Sequence, residues 1–246
     1  LNNPARIGGV LGFTAADVKS MLKCYGCGAG KSMRGSFGGT WDNARAGADT
    51  VSFTDSFGPT QTAAIGGYYF AQISVARRSR LSVSSMMRRV KEAPRMVRAF
   101  FHLCARVFRM TPNVLYMDNA RENVGEEMLA VLTEAGCRPE FCPPHAGDNN
   151  LAEVYIGIIS RCARAMLAQS GLHLKYWGFA MQHASWLRNR LPCKYNHGRM
   201  SSIEMETGEP PKMTDLVAFG AVGHAHVPHD AREQGREEKI SSATRR

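Results

Sequence analysis

Short alternating and apolar runs begin near residue 51, and segments with helical spacing lie between and after them. The stretch "VSFTDSFG" at 51–58 alternates apolar and polar residues, as a half-buried strand does. Further strands are predicted in "GGYYFAQISVA", "RLSVSS", "NVLYM" and "CRPEFC". The run "NVLYM" is almost wholly apolar, which favours a central strand that is covered on both faces. The pattern therefore predicts a sheet of five strands.

Apolar residues recur with helical spacing in four segments. These segments are 86–109, 122–136, 151–171 and 175–192. Pro94 is expected to start or kink the first helix, and Gly136 is expected to end the second. In the second helix the residues predicted to face the core are Met128, Leu129, Val131 and Leu132. A last strand pair is predicted in "DLVAFGAVGHAHVP" at 215–228. This order of elements predicts an α/β layer fold with a mixed five-stranded sheet flanked by helices.

Composition allows a substantial core and excludes a membrane span. The chain has 246 residues, of which 44% are hydrophobic, and no apolar run approaches the roughly 20 residues that a spanning helix needs. The first residues, "LNNPARIGG", include neither an initiator Met nor an apolar signal core, so we expect an internal segment of a longer protein. Seven cysteines at scattered spacings do not form a disulfide framework, which favours a reducing compartment.

The chain carries a formal net charge of +10, and its basic residues are dispersed between positions 77 and 109. A positive field of this kind attracts polyanions, and nucleic acid is the first candidate. Charge alone is equally compatible with a basic protein that binds no nucleic acid. The dispersed pattern predicts a broad basic surface on a folded domain.

Two motifs near the N-terminus point to chemistry that the rest of the sequence does not complete. The stretch "CGAGKS" at 27–32 resembles a phosphate-binding loop, but Tyr25 stands where the first glycine is required. Cys24 and Cys27 have the spacing of two zinc ligands, yet no histidine precedes His102. We therefore expect free thiols at this half-site, and no bound zinc.

Three acidic residues lie at positions where folding can gather them. Asp55 is on the first predicted strand, Asp118 ends the fourth, and Glu153 is in the first turn of the third helix. Each alone has an ordinary explanation, since Asp118 can cap a helix and Glu153 suits a helix N-terminus. Three carboxylates that converge repel one another unless a cation neutralises them. Hard oxygen ligands favour Mg²⁺ or Mn²⁺.

A series of short motifs extends over most of the chain. They are "TDSFGP" at 54–59, "GGYYF" at 66–70, "YMDNARE" at 116–122, "CPPHAGDNNLAEVYIGIISRCARAML" at 142–167, "YWGFAM" at 176–181, "LRNRLP" at 187–192 and "FGAVGHAHVP" at 219–228. In order and spacing, residues 46 to 228 resemble the integrase region of copia-type LTR retrotransposon Pol polyproteins. The resemblance implies an RNase H-like catalytic core with an Asp, Asp, Glu triad, here Asp55, Asp118 and Glu153.

The resemblance further implies two-metal phosphoryl transfer with Mg²⁺ or Mn²⁺, which joins the 3′ ends of element DNA to target DNA. The implied partners are DNA and further copies of the same chain, with no membrane. The implied location is the nucleus, a virus-like particle or the cytoplasm. Candidate DNA contacts beside the triad are Asn149, Arg161 and Arg164.

The resemblance also implies a division into three regions. Residues 1–45 correspond to a degenerate N-terminal zinc-binding region, 46–200 to the catalytic core, and 201–246 to an extension with a short strand pair and a disordered basic tail. Several positions depart from the family pattern. Phe13 and Gly8 replace zinc-binding histidines, and the 34 residues between Asp118 and Glu153 are one fewer than usual. These departures indicate a divergent copy, so the alternatives are an inactive relic that binds DNA and a metal-dependent nuclease.

Overall fold

The computed structural model describes residues 50–109, 111–120, 123–141 and 150–223. The strands in this part are β1 (Val51–Phe57), β2 (Phe70–Ala76), β3 (Ser82–Met87), β4 (Val114–Met117) and β5 (Arg138–Phe141). The helices are α1 (Ala93–Val107), α2 (Glu126–Glu134), α3 (Leu151–Ser170), α4 (Trp177–Arg190) and α5 (Ser202–Thr207).

The five strands form one mixed sheet in the order β3-β2-β1-β4-β5. The first three strands form an antiparallel meander, while β1 pairs in parallel with β4, and β4 in parallel with β5. This order and these directions are those of an RNase H-like fold. The predicted fold class, a mixed five-stranded sheet flanked by helices, is therefore confirmed.

Two apolar clusters lie on opposite faces of the sheet, because side chains alternate along each strand. Phe53 and Ile73 face the cluster that α3 and α4 cover. Leu115 and Met117 face the other cluster, which α1 and α2 cover. β1 and β4 are thus covered on both sides, as the apolar run in β4 predicts.

Hydrogen bonds fix α4 to the β1–β2 connection at its start and to the sheet at its end. Near its start, the indole Nε1 of Trp177 donates to the carbonyl of Thr62 at 2.9 Å. Near its end, the amide of Asn189 pairs with the backbone of Ser82, with Oδ1 accepting at 2.9 Å and Nδ2 donating at 2.7 Å. The helix therefore runs antiparallel to β3, with its C-terminal end where β3 begins.

The outer strand β5 is short and carries a proline. Pro139 lies opposite Leu115 of β4, and Arg138 forms an ion pair with Glu140 at 3.2 Å. Both charged side chains are largely exposed. This edge of the sheet thus combines a missing backbone donor with two charges.

The first two predicted helices need correction. The segment predicted as a helix from residue 86 begins with Met86 and Met87 in β3, and α1 starts only at Ala93. Pro94 is in the first turn, where a missing N–H costs nothing, so it starts the helix. In α2, Leu129 is 41% exposed, because the buried face of the helix consists of Met128, Val131 and Leu132.

The limits of two predicted strands also change. β2 begins at Phe70, because Gly66 and Gly67 adopt positive φ angles of 94° and 76° in a turn before it. The predicted strand pair at 215–228 is wrong as far as residue 223, where a turn with Gly220 at φ 82° replaces it. Residues 224–228, like the 1–45 region and the basic tail, lie outside the described residues. Within the described part, no helix is long and apolar enough to cross a membrane.

Four cysteines in the described part are free thiols: Cys104, Cys137, Cys162 and Cys193. Burial raises the pKa of Cys104 and of Cys137 to about 12, with Glu206 adding a smaller contribution at Cys104. These two thiols therefore stay protonated and unreactive at neutral pH.

His183 anchors the segment that follows α5 to the core. Its imidazole ring stacks on Trp186 with a centroid distance of 5.6 Å and contacts the Phe219 ring at 5.8 Å. Among the described residues, its buried Nε2 has no hydrogen-bond partner. Burial lowers the pKa of His183, and a hydrogen bond with the Val217 backbone opposes that effect only in part.

We predict that the protein loses stability as the pH falls below about 6.5. The folded pKa of His183 lies below its unfolded value of 6.5, so the unfolded chain binds the proton more readily in this range. The stability is fully present above pH 6.5 and decreases through the folded pKa. Thermal unfolding of the wild type and His183→Phe between pH 5 and 8 measures this. A pH dependence that is as steep in the variant would assign it to other groups.

Candidate acidic site at the sheet edge

Asp55 lies in β1, and Asp118 directly follows β4, the neighbouring strand. The parallel register pairs Val51 with Val114 and Phe53 with Tyr116, and two residues further along each chain are Asp55 and Asp118. Neighbouring strands are about 4.8 Å apart. The rings of Phe53 and Tyr116 stack at 5.0 Å, so alternation directs both carboxylates to the same face of the sheet.

The chain after β4 holds the Asp118 carboxylate. Its Oδ1 accepts hydrogen bonds from the backbone N–H of Ala120 at 3.2 Å and from Nδ2 of Asn123 at 2.5 Å. Asn123 is only 1% exposed. Among the described residues, both bonds go to Oδ1, which leaves Oδ2 for a further ligand.

Asp55 is held by its own strand and by a polar network behind that strand. Its Oδ1 accepts from the backbone N–H of Ser56 at 2.7 Å. On the opposite face, Ser56 Oγ donates to Gln72 Oε1 at 2.8 Å, and Gln72 Nε2 donates to Thr54 Oγ1 at 2.6 Å. Both chain neighbours of Asp55 are therefore bonded to β2, which fixes the backbone that carries the carboxylate.

Glu153 lies in the first turn of α3, where the Asn150 side chain caps the helix by accepting from the Ala152 N–H at 3.0 Å. The Glu153 side chain is exposed. Two residues further on, Tyr155 is buried beneath the guanidinium of Arg188, which is 5.7 Å from the ring centroid. Burial raises the pKa of Tyr155, and Arg188 opposes that rise. The first turns of α3 are thus packed against the C-terminal end of α4.

Arg161 lies on the same helix face as Glu153. The two residues are separated by two i,i+4 steps through Gly157. A Cβ built on Gly157 would be 3.1 Å from Nη1 of Arg161, so the guanidinium folds back over this glycine in the direction of Glu153. Arg164 is exposed on the same helix.

A metal site requires that the carboxylates of Asp55, Asp118 and Glu153 lie close enough together to bind the same cation. In the described ranges, no three side chains of the types His, Cys, Asp and Glu lie close enough together to hold a metal ion. The two aspartates supply the oxygen ligands that Mg²⁺ prefers. The chemistry of the pair therefore suits a divalent cation, and the assignment of Asp55, Asp118 and Glu153 as its ligands stays a prediction.

The remaining predicted site residues lie outside the described residues. They are Asn149, Cys24 and Cys27. Sequence reasoning missed two residues that shape the site, Asn123 and Gln72. A signal for Gln72 was present, since Ser52, Thr54 and Ser56 place a polar line on one face of β1. Asn123 gives no such signal, because its role depends on how the loop after β4 folds.

Comparison with known proteins gives relatives among curated sequences and a set of similar solved structures. The chain is 26% identical over 210 residues to the "Retrovirus-related Pol polyprotein from transposon TNT 1-94" of Nicotiana tabacum. The match covers 85% of this chain and 16% of that polyprotein, so the chain spans about one sixth of its relative. No protein-family model matches the chain.

Among solved structures, two forms of the HTLV-2 integrase catalytic core domain in complex with magnesium resemble the chain. The trimeric form has a TM-score of 0.48 and 16% identity, and the match covers 64% of this chain and 96% of that one. The dimeric form has a TM-score of 0.47 and 16% identity, over 65% and 96% respectively.

We predict that Asn123→Ala lowers the free energy of unfolding by about 1–3 kcal/mol, because it removes a buried donor from a carboxylate. Urea unfolding measures the difference. Asn119→Ala is the control, since Asn119 lies on the same loop and is exposed. Equal unfolding midpoints for the two variants would show that the Asn123 side chain does not stabilise the loop.

Proposed function

We propose that this chain, an integrase-like fragment of a retroelement Pol polyprotein, is an integrase catalytic domain that joins the 3′ ends of element DNA to target DNA. The observation that carries the proposal is the parallel register of β1 with β4 in an RNase H-like sheet, which pairs Phe53 with Tyr116 two residues before Asp55 and Asp118. Similarity to a transposon Pol polyprotein over 85% of the chain supports it.

In this proposal Asp55 and Asp118 hold a divalent cation, Mg²⁺ or Mn²⁺, and Glu153 supplies the third carboxylate. When bound, such cations neutralise a phosphodiester and favour in-line attack on phosphorus, and the family resemblance implies two of them. Asn123 and the Ala120 N–H keep the Asp118 carboxylate in one orientation. Ser56 does the same for Asp55. These residues position ligands before the DNA arrives.

The attacking group in this reaction is the 3′-hydroxyl of the element end, and the bond that breaks is a phosphodiester of the target. Water in place of the hydroxyl gives end trimming. Arg161 and Arg164 on α3 are proposed to contact DNA phosphates, in keeping with the net charge of +10. We further propose that several copies of the chain act together on DNA, in the nucleus or in a virus-like particle.

A specific observation favours a second candidate function, that of a relic that binds DNA without catalysis. No group of three metal-binding side chains is present among the described residues, and Glu153 is exposed. A chain that no longer assembles its third carboxylate with the first two would keep its basic surface and lose phosphoryl transfer.

We predict that the wild-type chain processes a branched DNA that mimics the joined product, in Mg²⁺ or Mn²⁺. Asp55→Asn and Asp118→Asn each remove a charged ligand without changing the side-chain shape, so activity falls by about 100-fold or more. Gel separation of labelled strands measures joined and cut products. Glu127→Gln is the matched control, because Glu127 is an exposed carboxylate in the first turn of α2.

The same assay separates the candidate functions. Equal inactivity of wild type and Asp118→Asn, with DNA binding retained by both, supports the relic. Products that are cut but never joined support a metal-dependent nuclease. Activity that survives in Glu153→Gln but not in Asp118→Asn would show that the aspartate pair acts without Glu153.

A further inference from the structure

Two loops meet at the end of the sheet where β1 begins. One is the β2–β3 turn at 77–81, whose first backbone N–H donates to the Val51 carbonyl at 2.9 Å. The other is the segment 191–201 after α4. Asn196 joins them, since its Nδ2 donates to the carbonyl of Ser79 at 3.0 Å and to that of Met200 at 3.1 Å. Asn196 is 5% exposed, so the joint is buried.

These two loops and the end of α4 carry a concentrated positive charge. Residues 77–80 contain three arginines, residues 188–199 contain four further cations, and neither stretch contains an acidic residue. The cations are Arg77, Arg78, Arg80, Arg188, Arg190, Lys194 and Arg199. The joint at Asn196 holds the two stretches together, so their fields add.

An exposed aromatic ring lies among these charges. Tyr195 is 57% exposed. The guanidinium carbon of Arg80 is 5.0 Å from the ring centroid, and Nζ of Lys194 is 4.7 Å from it. The two cations are therefore within about 10 Å of each other, which is no more than the screening length at 0.1 M salt. Two like charges this close to one exposed ring attract an anion to this surface.

The backbone of the two loops is strained where it presents the arginines. Arg80 and Arg199 have positive φ angles of 62° and 57°. Residues with a Cβ rarely adopt this left-handed conformation, and where they do, the strain is often found at functional sites. A glycine would fit both positions without strain, yet each holds an arginine.

We propose that the surface formed by Tyr195, Arg80 and Lys194, the Tyr195 surface, binds single-stranded nucleic acid. Arg80 and Lys194 contact backbone phosphates, and a base stacks on the Tyr195 ring, which is 57% exposed. Cations that track a backbone beside an aromatic platform are the usual means of holding a single strand. The carboxylates of an acidic protein would contact the two cations, but they offer no planar base to stack on the Tyr195 ring. This binding goes beyond the proposed strand transfer and requires no divalent cation.

The test measures binding of a labelled 12-nucleotide oligothymidylate to the full chain by fluorescence anisotropy. All proteins carry Asp118→Asn and the buffer contains EDTA, so metal-dependent chemistry is absent. Tyr195→Ala is expected to weaken binding about tenfold, and Tyr195→Phe to restore it. Arg80→Gly combined with Lys194→Ala is expected to reduce the dependence of log Kd on log salt by about 0.7 for each phosphate that the protein no longer neutralises.

Arg80→Gly suits the backbone, since glycine adopts a φ of 62° without strain. The matched control is Arg109→Gly, because Arg109 is exposed, has a φ of 51° and follows α1 on the opposite face of the sheet. Equal weakening by Arg109→Gly would overturn the proposal, as would wild-type affinity in Tyr195→Ala. Displacement of the oligonucleotide by a polyglutamate of equal charge would overturn it in favour of an acidic protein partner.

The outcome is independent of the proposed enzyme activity. Failure of strand transfer appears as absent joined product, whereas failure of the Tyr195 surface appears as unchanged oligonucleotide affinity. A chain that does not join DNA still shows the expected weaker binding in Tyr195→Ala.

Discussion

The parallel pairing of β1 with β4 is the constraint on which the rest of the structure depends. Parallel neighbours cannot be joined by a tight turn, so β2, β3 and α1 lie between them along the chain. Both strands are buried on both faces, which requires helices on each side. Phe53 stacks on Tyr116 at 5.0 Å in the register of these two strands, and Asp55 and Asp118 each follow two residues later. The pairing of β1 with β4 is therefore important both for the packing of the core and for the positions of the two aspartates.

The local hydrophobic pattern was sufficient to predict the central strands. It was insufficient to predict the orientation of α2 and the structure of the segment after α5. The apolar run of β4 predicted a strand covered on both faces, and the alternation in β1 predicted that strand, because burial dominates there. Leu129 was misassigned because its exposure depends on how α2 is rotated against the sheet. The C-terminal strand pair was misassigned because the Phe219 ring packs against His183, which is distant along the chain.

The candidate site shows the same division between local and long-range information. The sequence pattern was sufficient to place Asp55 in the first predicted strand and Asp118 at the end of the fourth. The donors that orient them do not, since Asn123 approaches Asp118 through a folded loop and Gln72 reaches Thr54 from another strand. The position of Glu153 depends on how the first turns of α3 pack on α4, where Tyr155 meets Arg188. The spacing of residues along the sequence does not indicate the contact between Tyr155 and Arg188.

The residues of β5 affect how the molecule can contact other copies of itself. Pro139 offers no N–H to an incoming strand, and the ion pair of Arg138 with Glu140 would lose water if another sheet docked there. Continuous sheets that run from one molecule to the next are therefore disfavoured at this border. The protein is therefore protected from β-aggregation on that side.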